Sequence, residues 1–164
     1  MPSLLVFVAC ERVALDQRNN GITLIGLLQG FIVTKIEPAE PVEIPLDGTA
    51  TAISDLNALP IWWCAFGLWR KMAEDQGKKY TQIAEVIAPN GKVLSSTKPT
   101  EFVMDHEYHR ITHHFHGFPI SESGDYIVRI LCGESGAELS EKARYPIGLS
   151  INKPKDSRAV LSLL

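Results

Sequence analysis

The apolar positions of this chain fall into short runs separated by turn residues, and the densest pair of runs comes first. Val6 to Val33 reads VFVACERVALDQRNNGITLIGLLQGFIV, two apolar runs joined by Asp16-Gln17-Arg18-Asn19-Asn20-Gly21. Asn19-Asn20-Gly21 tolerates positive φ, as a tight hairpin turn requires. The stretch predicts a β-hairpin with both strands in the middle of the core. Leu4 to Ala14 is its first strand, apolar at nearly every position until Glu11 and so buried on both faces at its start. Ile22 to Ile36 is its long second strand, with bends or bulges at Gly26 and Gly30.

Three prolines follow, Pro38, Pro41 and Pro45, which forbid a helix or a central strand and predict an extended surface crossing between sheets. Asp47-Gly48 turns the chain, and Thr49 to Ile53 is a short strand candidate. Ile61 to Arg70, IWWCAFGLWR, is apolar on both faces. Ile61, Trp63, Ala65, Gly67 and Trp69 share one side, and Trp62, Cys64, Phe66 and Leu68 share the other. A two-sheet sandwich leaves one of these faces bare, so a helix, a long loop or a second subunit must cover it. Further strands are expected at Tyr80–Ala88, Val93–Thr97, Thr100–Met104, Arg110–Phe118, Asp125–Cys132 and Arg144–Ile151. The turns between them carry Pro89-Asn90-Gly91-Lys92, Ser121-Glu122-Ser123-Gly124 and Gly133-Glu134-Ser135-Gly136. Pro146 marks its strand as an edge. Asp156 is placed to cap a short terminal helix, Ser157 to Leu164.

Many short strands with regular turns and no long helical period predict an all-β fold. The expectation is an antiparallel β-sandwich, immunoglobulin-like in general architecture, with one or two short helices. One domain is expected over residues 1–152, with 153–164 as a tail or short helix docked on a partner or on its own sandwich. The length of 164 residues suits a single core, and 45% hydrophobic with 21% charged residues is ordinary for a soluble globular protein. A net charge of −3 with no run of Lys and Arg argues against a nucleic-acid footprint, so no nucleic-acid partner is expected. No apolar stretch reaches the roughly 20 residues that span a bilayer, and Leu4–Ala9 before Cys10 is too short and lacks the preceding Lys or Arg of a signal segment. The three cysteines, Cys10, Cys64 and Cys132, lie in apolar runs and read as buried reduced thiols of a cytoplasmic protein. One bridge, such as Cys10 to Cys132, stays open if those strands are neighbours.

The opening also resembles a known family. Cys10-Glu11-x-Val13, Asp16, Asn20-Gly21 and Thr23-Leu24-Ile25-Gly26 are similar to the N-terminal hairpin of a family of bacterial and phage-borne domains of unknown function. Ala88-Pro89-Asn90-Gly91-Lys92 resembles their Asp-Pro-x-Gly turn, and Gly124-Asp125-Tyr126 their Gly-x-Tyr strand start. Glu11 stands where the family has Asp. The resemblance implies a compact β-sandwich and carries no activity with it.

Candidate chemistry concentrates in one segment. All five histidines lie between His106 and His116. On a strand His114 and His116 point together, and with His109 or His106 across a turn they form a candidate zinc set. Clustered imidazoles also make a candidate pH-sensitive patch. No catalytic residue is assigned: Cys64 sits in apolar surroundings that blunt a nucleophile, and Asp105 with Glu107 reads as a solvated pair. No phosphate-binding glycine loop, nucleophile elbow or dinucleotide fingerprint occurs. Trp62, Trp63 and Trp69 are either core filler or an interface. The expected function is a non-enzymatic module acting through a protein partner or as a homo-oligomer. The alternatives are a ligand or metal module on the histidine strand, and a small enzyme with an unrecognised pocket.

Overall fold

The computed structural model describes residues 1–16, 18, 21–34 and 57–152. It is a two-sheet, all-β sandwich. The strands are β1 (Ser3–Leu15), β2 (Ile22–Leu27), β3 (Gly30–Thr34), β4 (Asn57–Arg70), β5 (Lys79–Ile87), β6 (Val93–Ser96), β7 (Thr100–Val103), β8 (Tyr108–Ile120), β9 (Gly124–Glu134) and β10 (Ser140–Asn152). One sheet has the order β2-β1-β4-β8. The other has the order β3-β10-β9-β5-β6, and β7 also pairs with β5. Among the described residues the only helical turn is Ala73–Asp75, between β4 and β5, and no helix is long and apolar enough to cross a membrane. The proline-rich crossing, the Thr49–Ile53 strand and the terminal helix fall outside the described residues.

The opening hairpin is present, with Leu15 opposite Ile22 and Cys10 opposite Leu27. It is shorter than the apolar pattern implies. The single strand expected over Ile22 to Ile36 divides: β2 stays beside β1, whereas β3 belongs to the opposite sheet and runs parallel to β10. Leu28 N–H still donates to Ala9 at 3.0 Å, and Gly148 N–H already donates to Gln29 at 3.1 Å. Two residues therefore carry the chain from one sheet to the other. Gly26 has φ +64°, the left-handed conformation that favours glycine. A Cβ on Gly30 would lie 2.9 Å from the Gly148 carbonyl oxygen, so glycine lets the parallel strands approach. The hairpin thus spans both layers; its β2 arm is a sheet edge rather than a central strand.

Pro146 lies on β10, which is flanked by β3 and β9. Pro146 itself is opposite Ile127, and the β3 pairing begins only at Gly148. The strand is interior, but its other side is unpaired by β3 at the proline, which is why a residue without an N–H is tolerated.

Inward-facing residues of both sheets make one continuous interior with two clusters. The larger joins Ala9, Trp63, Phe115 and Phe118 to Tyr126, Val128 and Ile147. Trp63 and Phe115 stack at 4.1 Å with an interplanar angle of 7°. The second joins Trp69 and Ile111 to Tyr80, Phe102, Met104, Ile130 and Cys132. The Gly-x-Tyr strand start acquires a physical reason. The Tyr126 hydroxyl accepts from Ser121 N–H (2.8 Å) and Glu122 N–H (3.0 Å) and donates to the Glu122 carbonyl (2.8 Å), tying the turn to the core.

Candidate contact surface and histidine strand

The two sheets carry different chemistry on the faces turned away from their shared core. On the β3-β10-β9-β5-β6 sheet, Arg129 bridges three strands. Its Nε donates to Glu85 at 2.8 Å, and a terminal nitrogen lies 3.4 Å from Glu141, which Arg144 also engages. Arg144 and Arg129 hold the Glu141 carboxyl below its ordinary range, against a smaller opposing effect of burial. This is a solvated, ion-paired face.

The outer face of the four-stranded sheet is mostly apolar. In-register rows across β1, β4 and β8 read Val6–Leu68–Arg110, Val8–Phe66–Thr112 and Cys10–Cys64–His114. Cys10, Cys64 and Phe66 are fully buried within the single chain. Next to them Trp62 is 72% exposed, its ring 3.7 Å from the His116 ring to which it is opposite in register. The tryptophans therefore separate. Trp63 and Trp69 point between the sheets at 1% and 0% exposure, which removes them from any interface in the folded protein. Trp62 alone presents its ring to solvent, because odd and even positions of a strand face opposite ways.

The same alternation disperses the histidines. His114 and His116 are exposed on the outer face of β8, as the His-x-His spacing predicts. His109 is on the inward side and stacks on Phe102 at 4.9 Å, and His106 lies in the loop before β8. Among the described residues, no three His, Cys, Asp or Glu groups converge on a point where a metal could sit. The set His106, His109, His114 and His116 is therefore split between a loop and two faces. Burial holds His109 below the ordinary imidazole range, the His106 charge adds to this, and Asp105 opposes it.

The histidine with the most defined environment is His113, which the zinc set omitted. It is 5% exposed, and its Nε2 is 2.8 Å from Gln82 Nε2. Gln82 Oε1 in turn accepts from Trp69 Nε1–H at 2.7 Å. Indole nitrogen is only a donor, so Gln82 turns its oxygen to Trp69 and its NH₂ to His113. His113 must then accept through Nε2 and stay neutral. Burial and the neighbouring His114 push it down to about 4. Gln82 falls in a strand read only for its alternation, and nothing in its local sequence marks it.

A second buried polar group is Asp75, fully buried in the helical turn. It accepts from Tyr80 OH at 2.5 Å and from Met72 N–H at 2.9 Å, and the Met1 ammonium lies 2.9 Å away. Burial pushes its carboxyl up, but Tyr80, the ammonium and Met72 together outweigh this and bring it below the usual range. Burial and then Asp75 raise the Tyr80 phenol.

All three cysteines are free and buried. Cys132 is on β9 in the opposite sheet, so Cys10 has a different neighbour from the one the sequence offered. Cys10 Sγ is 3.6 Å from Cys64 Sγ. Burial, and secondarily Cys10, push the Cys64 thiol up to about 12; burial pushes Cys132 to about 11. None has the lowered pKa of a nucleophile, so the expected blunting of Cys64 matches its environment.

No family model matches the chain, and no curated protein matches it.

Proposed function

We propose that this chain is a non-enzymatic β-sandwich module that works through protein–protein contact, with a second copy of itself as the first partner. The observation that carries the reading is Trp62, exposed and tilted against the His116 ring beside apolar residues of the same face that the chain itself buries. Aromatic side chains are enriched at interfaces, and tryptophan is among the residues whose truncation most often costs binding. Among the described residues the other sheet exposes no tryptophan; its exposed large apolar residues are Ile32 and Val93. A cytoplasmic location belongs to the same reading, supported by three buried free thiols. So does membership of the bacterial and phage family that the opening hairpin resembles. Sedimentation velocity over a range of concentrations tests the contact. The wild-type chain is expected to self-associate, and Trp62→Ala to weaken association at least about tenfold. A wild-type chain that stays monomeric at every concentration overturns the homodimer.

A second reading rests on His114 and His116, which are both exposed on that face. A zinc ion held by this pair and a further donor would raise the melting temperature of untagged protein. An unchanged melting temperature on adding zinc removes this reading.

A further inference from the structure

Cys10 and Cys64 are directly opposite on adjacent antiparallel strands, and their sulfurs touch at 3.6 Å. They stand 54 residues apart in sequence, so nothing local brings them together. Both side chains project from the outer face of the four-stranded sheet. Cys132 is held in the other sheet and shares neither their face nor their neighbours. We propose that Cys10 and Cys64 are a thiol pair that closes to a disulfide in the folded protein, with a low-molecular-weight disulfide as the oxidant.

The chemistry balances in two exchanges. The Cys10 thiol loses its proton, and its sulfur attacks one sulfur of the small disulfide. The oxidant's S–S bond breaks, one small thiolate leaves and takes up that proton, and Cys10 carries a mixed disulfide. Cys64 then loses its proton and attacks the Cys10 sulfur. The second small thiol departs with that proton, and the Cys10–Cys64 bond forms. Two protein thiols are oxidised and one small disulfide is reduced to two thiols. The two cysteines can exchange these roles, because β1 and β4 are each one strand in from an edge of the sheet, behind β2 and β8. Neither sulfur is exposed, so reaction proceeds through local opening of that face and is slow compared with an exposed thiol. The bond would staple the two central strands of the sheet. It would also close a loop that contains β2, the sheet-to-sheet crossing and β3.

The test uses the full wild-type chain under native conditions in glutathione buffers of stepped oxidised-to-reduced ratio. Samples are quenched in acid, alkylated, digested without reductant and read by mass spectrometry. The expected product is a single cross-linked peptide joining Cys10 to Cys64, with Cys132 alkylated. The oxidised protein is expected to melt about 5–10 °C higher, from the size of the loop closed. Cys132→Ser is expected to leave the cross-link unchanged. The proposal is overturned if the cross-link forms only in denaturant, if Cys132 is a partner, or if Cys10 stops at the mixed disulfide with glutathione.

Discussion

At the scale of single residues, the sharpest constraint is the buried chain from Trp69 through Gln82 to His113. Each link fixes the next, because indole can only donate and an amide can present one oxygen and one NH₂. Replacing Gln82 by Leu leaves the Trp69 N–H and the His113 Nε2 unpaired in the core. A loss of about 2–4 kcal/mol is expected, since each orphaned buried group costs about 1–3 kcal/mol. Urea denaturation measures it; a loss below about 0.5 kcal/mol would mean water replaces the amide without penalty. Trp62 is the contrasting case. Its ring is mostly in solvent, so Trp62→Ala is expected to leave folding stability within about 0.5–1 kcal/mol of wild type. The same variant can therefore report on association without the confounding effect of unfolding.

At the scale of elements, the crossing from β2 to β3 depends on two glycines with different requirements. A Cβ at Gly30 would face the Gly148 carbonyl, a backbone atom with no freedom to move aside. A Cβ at Gly26 would meet only the end of the Glu11 side chain, which can swing away, although the φ of +64° remains unfavourable. Gly30→Val is therefore expected to cost about 1–3 kcal/mol and to free the β3 amides to exchange, while Gly26→Ala costs about 1–2 kcal/mol with β3 still protected. Equal exchange from β3 in both variants would contradict this division. The crossing also shows where sequence reading stops. Alternation and turn chemistry placed β5, β6, β7 and β9 within a residue or two, because each has one buried face and a marked turn beside it. Ile22 to Ile36 is apolar on both sides of the crossing. An uninterrupted apolar run does not record which sheet each half joins, and the glycines read as bends rather than as a change of layer. The site was less legible than the fold. The His-x-His spacing correctly put His114 and His116 on one face, and alternation put His113 on the other. That Gln82 waits for His113, or that Cys64 lies beside Cys10, depends on register between strands distant in sequence. No local pattern carries that information.

At the scale of the whole molecule, acid acts on the fold from inside. His113 titrates at about 4 in the folded chain and has an ordinary value of 6.5, so between these limits the unfolded chain binds a proton that the folded chain refuses. The contribution is complete above pH 6.5 and is lost as pH falls toward 4, an effect of roughly 3 kcal/mol over that window. His109 has the same sign, its folded value also being lowered by burial. Asp75 adds a loss in still stronger acid, because its lowered carboxyl stabilises the fold only while it is ionised. These groups all weaken the molecule as protons are added, and His113 acts most strongly among the histidines because it faces Gln82 with no acceptor to receive a new N–H. Urea midpoints measured at pH 7.5, 6.5, 5.5 and 4.5 should stay level across the first step and then fall with steepening slope. His113→Gln should start from a lower stability and follow a flatter line between pH 6 and pH 4.5. Parallel curves for the two proteins would show that the acid sensitivity arises elsewhere than at the Trp69–Gln82–His113 chain.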